Sequence, residues 1–274
     1  MSGRDILGVI DSAVGIARRL APIAALAKRT ELRVTGLFAS GLPSAAGFAD
    51  LQGWAVLVDA YMTARREEAA KAEVAFRQEA GRLGLAAEWL TREGELTETI
   101  VALARLHDLV VLGQPDPGAD ATGLRPEEIV LGAGRPVLLI PYAGDFTDIG
   151  RRILVAWSGT RESARALHDA MFLLDGAEAV TVFEVDASAG EIIPDLAAAD
   201  VVAALVRHGV EATAETTVSD GTPVADIILS SAADRTADLL VMGAWGHSRL
   251  REFVLGGVSR GILQEMTIPV LMSH

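Results

Sequence analysis

One sequence pattern occurs twice in this chain and limits the folds that it can adopt. DLVVLG at 108–113 returns as DLLVMG at 238–243, and PVLLIP at 136–141 returns as PVLMSH at 269–274. Each of these runs has the apolar character of a buried strand, and the members of each pair stand at corresponding places in the two halves. Self-similarity over such a length predicts two domains of the same kind.

Within each predicted domain, short apolar runs alternate with helical stretches. The domains cover residues 1–144 and 150–274, with a short polar linker at 144–150. The predicted strands lie at 6–11, 32–39, 86–94, 108–113 and 136–143, and again at 152–159, 179–186, 212–221, 238–243 and 269–274. The main helical stretches lie at 13–28, 54–82, 97–107, 161–174, 194–208 and 224–236. This alternation predicts an α/β fold with parallel sheets, and the continuous apolar strands predict helices on both faces.

Composition restricts the ligands and the location that we expect. The net charge of −13 argues against a nucleic-acid partner, because phosphate backbones are bound by surplus Lys and Arg. The absence of cysteine excludes disulfides and thiol ligands and suits a reducing cytoplasm. The start, MSGRDILGVID, lacks the apolar core of a signal peptide, and no apolar run approaches the ~20 residues that span a membrane. We therefore expect a cytoplasmic protein that binds neither nucleic acid nor membrane.

The stretch VMGAWGHSRLREFVLGGVS at 241–259 follows a predicted strand and carries a distinctive glycine pattern. Two residues separate Gly243 from Gly246, and nine separate Gly246 from Gly256. With ILVAWSGTRESARAL before it and IPVLMSH after it, this spacing resembles the nucleotide-binding loop of the universal stress protein family. The second half resembles that family throughout and the first half more loosely, so the chain looks like a tandem member.

The resemblance implies both a strand arrangement and a place for a ligand. Each half is expected to form an open, twisted, five-stranded parallel sheet of strand order 3-2-1-4-5, with the two halves paired through their last strands as a pseudo-dimer. In such sheets, ligands bind beyond the carboxyl ends of the strands where the strand order reverses. Here that point lies between the first and fourth strands, and the implied ligand is ATP, with or without Mg²⁺, or a related adenine nucleotide.

The residues at this point suit a nucleotide. Gly243 and Gly246 have no Cβ, so the main chain can turn tightly and approach a bulky anion. Gly256 and Gly257 are expected to begin the next helix, where free N–H groups favour negative charge, and Ser259 can donate its hydroxyl. The predicted binding set, which includes the residues that the resemblance places at the adenine and ribose, is Trp157, Ser158, Val185, Met242, Gly243, Gly246, Gly256, Gly257, Val258 and Ser259.

Two interpretations stay open for other residues of the loop. Arg249, Arg251 and Arg260 place positive charge near the expected phosphates, but they are equally consistent with a solvated face. Trp245 either shields a ligand or a partner surface, or it caps the core. Asp186, at the end of the second strand, is an alternative to Val185 as the residue near the nucleoside.

Two positions depart from the pattern that the resemblance implies. The nucleotide-binding members of the family usually carry an aspartate where this half has Ser158, and Ser or Thr where it has Gly257. A hydroxyl at Ser158 and a main-chain N–H at Gly257 still provide donors. These departures predict a lower affinity or a different ligand.

The first half departs in a complementary way. Asp11 keeps the acidic residue of the first strand, but the loop QPDPGADATGLRP is shorter and brings Asp116 and Asp120 close to the expected phosphate position. Pro126 stands where the second half has Ser259, and proline has no N–H to donate. Carboxylates repel a polyphosphate, so this half is predicted not to bind ATP.

Three functions are consistent with these observations. The leading hypothesis is a cytoplasmic stress-response protein whose second half binds ATP or a related adenine nucleotide as a regulatory ligand. The alternative is a nucleotide-free scaffold or interaction protein that has lost or changed its ligand; for either function, a homodimer or a protein partner is possible. A slow ATPase ranks third, because no GxxxxGK[ST] lysine and no candidate base are visible. No Ser-His-Asp order, paired carboxylates or metal-like histidine pair stands out, so neither a catalytic nor a metal site is predicted.

Overall fold

Strands and helices alternate along the chain in the computed structural model, as the repeated pattern predicts. The structure describes residues 4–27, 31–41, 51–116, 118, 123–186, 197–245 and 257–274, and for residues 51, 52 and 186 it describes the main chain. Gly246 and Gly256 of the predicted binding set lie outside these residues. Arg249, Arg251 and Asp120, which the sequence places near the expected phosphates of the two halves, also lie outside them.

Within the described residues, the two halves contain the same series of elements. The strands are β1 Arg4–Val9, β2 Leu32–Ser40, β3 Ala86–Glu93, β4 Leu109–Gly113, β5 Val137–Ile140, β6 Arg152–Trp157, β7 Ala179–Asp186, β8 Thr213–Val218, β9 Leu239–Gly243 and β10 Val270–Ser273. The helices are α1 Ile16–Ala27, α2 Leu51–Leu83, α3 Leu96–Ala104, α4 Pro126–Gly132, α5 Arg161–Asp169, α6 Met171–Leu174, α7 Ala198–Arg207, α8 Val224–Asp234 and α9 Gly257–Glu265.

Element ends differ from the predicted ones in several places. The helix predicted over 161–174 is divided into α5 and α6, because the main chain turns at Ala170, whose N–H bonds to Ala166 while its carbonyl accepts from Leu173. The helix predicted from residue 194 begins at Ala198, and residues 194–196 lie outside the described part. The long helix α2 begins three residues before its predicted start.

All ten strands belong to one sheet of order β3-β2-β1-β4-β5-β10-β9-β6-β7-β8. Each half therefore has the order 3-2-1-4-5, and its neighbouring strands run parallel. The halves meet where β5 and β10 pair antiparallel, with Leu138 opposite Leu271. The predicted fold and pseudo-dimeric pairing are confirmed, whereas the division at residues 144–150 remains a prediction.

Helices cover both faces of this sheet and bury two hydrophobic clusters. Cluster one lies under α1, α2, α5, α6 and α7, and includes Phe76 and Val155. Cluster two lies under α3, α4, α8 and α9, and includes Ile100 and Met242. Because successive side chains of a strand point to opposite faces, neighbouring residues of β6 belong to different clusters.

Polar side chains connect the halves beyond the β5–β10 pair. Gln114, which is buried after β4, donates from Nε2 to the carbonyl of Leu263 in α9 at 2.9 Å. Its Oε1 accepts from the N–H of Tyr142 at 3.2 Å. One amide thus joins the loop after β4 and the end of β5 to the C-terminal end of α9 in the other half.

An aspartate fixes the point where the chain enters the second half. The carboxylate of Asp238 accepts from the N–H groups of Gly150 at 2.7 Å, Arg151 at 3.0 Å and Arg152 at 3.1 Å. Burial raises the pKa of Asp238 above its ordinary value, although these three bonds oppose the rise. The same side chain therefore ties the start of β6 to the start of β9.

No helix in the described part of the chain is both long and apolar enough to cross a membrane.

Candidate functional site

A cavity of about 300 Å³ opens beyond the carboxyl ends of β6 and β9, on the face of the sheet that holds cluster two. The strand order reverses between these two strands, so the cavity occupies the position where parallel sheets bind ligands. The residues that line it are Ala156, Trp157, Ser158, Thr160, Phe183, Val185, Val224, Ile228, Met242, Gly243, Trp245, Gly257, Val258 and Ser259.

The structure brings eight of the ten predicted residues together around this cavity. They are Trp157, Ser158, Val185, Met242, Gly243, Gly257, Val258 and Ser259. The other two, Gly246 and Gly256, lie outside the described residues. Residues that are far apart along the chain thus converge on one space, and their role in binding a nucleotide stays a prediction.

One wall of the cavity is apolar and comes from elements on either side of the glycine loop. Phe183 and Val185 are two residues apart on β7 and therefore point to the same face. Val224 and Ile228 are four residues apart on α8, which again places them on one face. With Met242 from β9 they form a surface suited to a flat, apolar ring system.

The side of the cavity at the end of β6 carries two hydroxyls. Ser158 Oγ lies 3.1 Å from Thr160 Oγ1, within hydrogen-bond distance. Thr160 is also the N-cap of α5, because its hydroxyl accepts from the N–H of Ser163 at 3.2 Å. Thr160 is held in place by this cap, and it in turn positions Ser158. The sequence did not single out Thr160.

At the opposite side, α9 directs its first residues toward the cavity. Gly257 starts the helix, and no described atom lies within 4 Å of the position that a Cβ would take there. Ser259 is buried, and its hydroxyl accepts from the N–H of Trp245 at 3.2 Å. Because a hydroxyl can accept and donate at once, Ser259 retains a proton to donate. The free N–H groups of the first helical turn make this side suitable for an anion.

Gly243 is required here by the packing of the protein itself. A Cβ at Gly243 would lie 2.4 Å from the main-chain nitrogen of Ser163 and 2.4 Å from the carbonyl carbon of Glu162. The start of α5 therefore rests directly on the end of β9. The sequence predicts that the lack of a Cβ here admits an anion, and the structure adds a close contact between two backbones.

The two tryptophans at the cavity differ in orientation. The side chain of Trp157 packs in cluster one with Val155, on the far face of the sheet, so its main chain rather than its indole borders the cavity. Trp245 packs beside cluster two and has a left-handed φ of 55°, which is strained for a bulky residue. Its indole Nε1 is buried and finds no acceptor among the described residues.

Charged groups stand behind the cavity rather than in its described wall. Glu162 is buried beside Gly243 and pairs with Arg161 at 2.7 Å. Burial alone would raise the pKa of Glu162, but its own main-chain N–H and the Arg161 guanidinium outweigh burial and lower the pKa below its usual value. Arg260 is exposed and is not among the lining residues. In the part of the chain that the structure describes, no group of three His, Asp or Glu side chains could hold a metal ion.

Comparison with known proteins identifies the second half. A family model described as Universal stress protein family matches residues 150–274. The second half of the chain belongs to the universal stress protein family. A universal stress protein from Synechocystis sp. is 50% identical over 38 residues, which are 14% of this chain and 13% of that relative. The match spans a small part of the relative's length and therefore says nothing about the activity of the whole relative.

Solved structures show that the fold of this family extends over both halves. A universal stress protein from Archaeoglobus fulgidus DSM 4304 superposes with a TM-score of 0.76 at 16% identity, covering 98% of this chain and 96% of that one. A functionally unknown protein from Pseudomonas aeruginosa PAO1 has a TM-score of 0.57 at 18% identity, covering 98% and 92%. At these identities the likeness concerns the fold alone.

The first half carries different groups at the corresponding places. Pro126 is the first residue of α4, where the universal stress protein domain of the second half has Ser259 in α9. Asp116 lies in the loop after β4, and its Oδ1 accepts from the N–H of Gly118 at 2.8 Å. Asp11, which replaces Ser158, is paired with Arg19 at 2.7 Å. That the first half does not bind ATP remains a prediction.

Proposed function

We propose that the second half binds ATP or a related adenine nucleotide in the cavity between β6, β9 and α9, as the regulatory ligand of a stress-response protein. The observation that carries the proposal is the convergence of eight predicted residues on one cavity at the reversal of strand order. At about 300 Å³ the cavity lies at the lower end of the ~300–1,000 Å³ range of small-molecule sites.

The adenine is proposed to lie against the apolar wall. Phe183, Val185, Val224, Ile228 and Met242 bury a flat ring without offering it a charge. Apolar surface removed from water contributes about 25 cal/mol per Å², so a ring system held on this wall gains several kcal/mol before the cost of ordering. The hydroxyls of Ser158 and Thr160 are proposed to face the ribose.

The phosphates are proposed to lie at the start of α9. There the N–H groups of Gly257 and Val258 and the hydroxyl of Ser259 offer donors to phosphate oxygens. The unpartnered Nε1 of Trp245 is a further buried donor that a ligand oxygen would satisfy. Mg²⁺, if it enters, is expected to arrive with the phosphates, since this ion binds chiefly through phosphate oxygens and water.

A regulatory rather than a catalytic role is proposed because the described wall offers binding groups. Its polar side chains are the hydroxyls of Ser158, Thr160 and Ser259 and the indole of Trp245, none of which is a base at neutral pH. Occupancy is proposed to act on pairing with a second copy of the chain or with another protein. Slow hydrolysis of ATP stays the third hypothesis.

The first experiment asks whether nucleotide is present and whether ATP binds. The purified protein is denatured, released nucleotide is identified by anion-exchange chromatography, and the nucleotide-free protein is titrated with ATP by calorimetry with and without Mg²⁺. Val224→Trp should fill the adenine position and weaken binding at least tenfold. Val206→Trp is the matched control, because Val206 is exposed on α7. Absence of nucleotide together with no binding at millimolar ATP would refute the proposal.

The nucleotide-free scaffold remains the second candidate, and a specific observation favours it. Ser158 has its hydroxyl partner in Thr160, and the described wall of the cavity contains no charged side chain. This hypothesis predicts no heat on titration with ATP, and an oligomeric state or a partner that does not respond to nucleotide. Sedimentation of the protein with and without ATP separates the two candidates.

A further inference from the structure

A second cavity, of about 210 Å³, lies in the first half on the opposite face of the sheet. It is bounded by α1 and by the residues that follow β1, β4 and β5, and its wall includes Arg18, Arg19, Asp11, Gln114 and Tyr142. Helix α1 packs on cluster one, whereas the proposed nucleotide cavity lies over cluster two. This second cavity therefore lies on the other face of the sheet, although Asp11 and Gly113 in its wall correspond to Ser158 and Gly243 of the proposed nucleotide cavity.

Two consecutive arginines of α1 reach the wall of this cavity. Arg19 pairs with Asp11 at 2.7 Å, and its guanidinium lies over Gly113, with Nε 2.9 Å from the position that a Cβ would occupy. Arg18 donates from Nη1 to the carbonyl of Tyr142. In the described part of the chain, no carboxylate lies within ion-pair distance of Arg18. Among the described residues, the Arg18 guanidinium therefore has no anionic partner.

Each of these arginines also has a nitrogen that lacks an acceptor. Arg18 Nε and Arg19 Nη1 are shielded from solvent and make no hydrogen bond to any described group. Leaving a buried donor unsatisfied is costly, and more so when the donor is charged. Both arginines line the cavity, so we expect an acceptor bound there to satisfy at least one of these nitrogens. Arginine presents its N–H groups in a planar fork that matches the oxygens of carboxylates and phosphates.

The acidic groups of the wall are already engaged. Asp11 is held by Arg19 and lies 3.4 Å from the hydroxyl of Ser12. Asp116 accepts from the N–H of Gly118. The wall therefore carries two carboxylates and two guanidinium groups, and its attraction for an anion comes from the unsatisfied N–H groups of Arg18 and Arg19 rather than from a surplus of positive charge.

The described residues of the second half pack differently at the place that corresponds to this cavity. There α5 begins three residues after Ser158 and packs its main chain onto Gly243, at 2.4 Å from a Cβ position. In the first half α1 begins five residues after Asp11, and the group nearest to Gly113 is the side chain of Arg19. The connection from β1 to α1 is longer than the one from β6 to α5, and the side chains of Arg18 and Arg19 line the space that lies beside α1.

We propose that this cavity binds a small oxyanion, a phosphate or a carboxylate, whose oxygens accept from Arg18 and Arg19. The proposal is independent of nucleotide binding in the second half. A volume of about 210 Å³ corresponds to about seven waters at ~30 Å³ each, enough for an oxyanion and a short organic body. Pro115, Ile140 and Pro141 supply the apolar surface for such a body.

The test is calorimetric titration of the full chain with inorganic phosphate and, separately, with succinate, at constant ionic strength in potassium chloride. Saturable binding of at least one probe is expected. Arg18→Met, which keeps the apolar stem, should weaken it about tenfold or more, because a charge-assisted hydrogen bond is lost. Arg77→Met is the matched control, since Arg77 is an exposed arginine of α2. Phosphate and succinate together distinguish a phosphate site from a carboxylate site.

A further variant separates this cavity from the nucleotide site. Ser259→Ala removes a hydroxyl donor from the start of α9, so phosphate binding that is lost in this variant belongs to the nucleotide cavity, whereas binding that is lost in Arg18→Met belongs to the second cavity. If phosphate binding disappears in Ser259→Ala and persists in Arg18→Met, the phosphate lies at α9 and the proposal is overturned. It is equally overturned if neither probe binds at 10 mM, an order of magnitude above typical metabolite affinities, or if Arg18→Met binds like the parent protein. Arg18→Lys keeps the positive charge but loses the planar fork of donors. It should bind the probes more weakly than the parent protein, and it takes the place of Arg18→Met if that variant does not fold.

Discussion

Gly257 allows the proposed phosphate position to be tested by charge alone. Because no described atom lies within 4 Å of a Cβ there, a side chain can be added without a clash with the described protein. Gly257→Glu and Gly257→Gln add nearly equal bulk at the first residue of α9, and they differ by one negative charge. If the phosphates lie at the start of this helix, the glutamate variant should lose ATP binding much more than the glutamine variant.

The expected size follows from the distance between the charges. A carboxylate at residue 257 lies about 5 Å from a phosphate bound to the first helical N–H groups, which at an effective dielectric constant near 20 costs about 3 kcal/mol. Rotation of the side chain toward solvent reduces this to about 1.5–3 kcal/mol, a loss of roughly 10–150-fold in affinity. Stability should change in the opposite direction, because a carboxylate near a helix N-terminus stabilises the helix by ~0.3–1 kcal/mol.

The assay combines calorimetric titration with ATP and thermal unfolding of both variants. Weaker binding with equal or higher stability in Gly257→Glu would locate the repulsion at the ligand and not in the fold. Equal loss in both variants would show that bulk alone disturbs the site. Unchanged affinity in Gly257→Glu would mean that the phosphates do not lie at α9, and the proposed placement of the ligand would be wrong.

Three further outcomes are expected. Gly243→Ala should lower the free energy of unfolding in guanidinium by about 1–3 kcal/mol, because its Cβ would press on the main chain of α5, whereas Gly257→Ala should not. The pKa of Glu162 is lowered in the folded protein, so the ionised carboxylate stabilises the fold at pH values above the ordinary glutamate pKa of about 4.3. This stabilisation is lost as the pH falls through the lower pKa of the folded state. Glu162→Gln should therefore flatten the dependence of the free energy of unfolding on pH between 2 and 5. Gln114→Leu should reduce stability by about 1–3 kcal/mol, measured by urea unfolding, because carbonyls at the end of α9 lose their donor.

The fold was predictable because its signal is repeated along the chain. DLVVLG and DLLVMG are central strands buried on both faces, so each is a continuous apolar run, and each occurs at the same place in its half. Element ends were less predictable, because they depend on local hydrogen bonds rather than on hydrophobic pattern. The turn at Ala170 that divides α5 from α6 has no glycine or proline to mark it.

The candidate site was predictable where it depends on the glycine loop and less so in its walls. Thr160, Phe183, Val224 and Ile228 were missed, because each comes from an element that is distant in sequence from that loop. Phe183 had a signal, since strand periodicity places it on the same face as the predicted Val185. Val224 and Ile228 have helical spacing, but choosing their face requires knowing which helix covers the end of β9.

The comparison of the two halves explains why one repeat supports two different cavities. Gly113 and Gly243 both end a strand beside the reversal of strand order, yet one is covered by an arginine side chain and the other by the main chain of α5. In the second half, α5 packs closely on Gly243, and the cavity that the described residues form lies over cluster two, where α9 begins. The looser connection to α1 opens space over cluster one instead. Gln114 lines this second cavity and binds the last turn of α9, and the first turn of α9 lines the other cavity. The two cavities are therefore joined by one nine-residue helix and a single amide side chain.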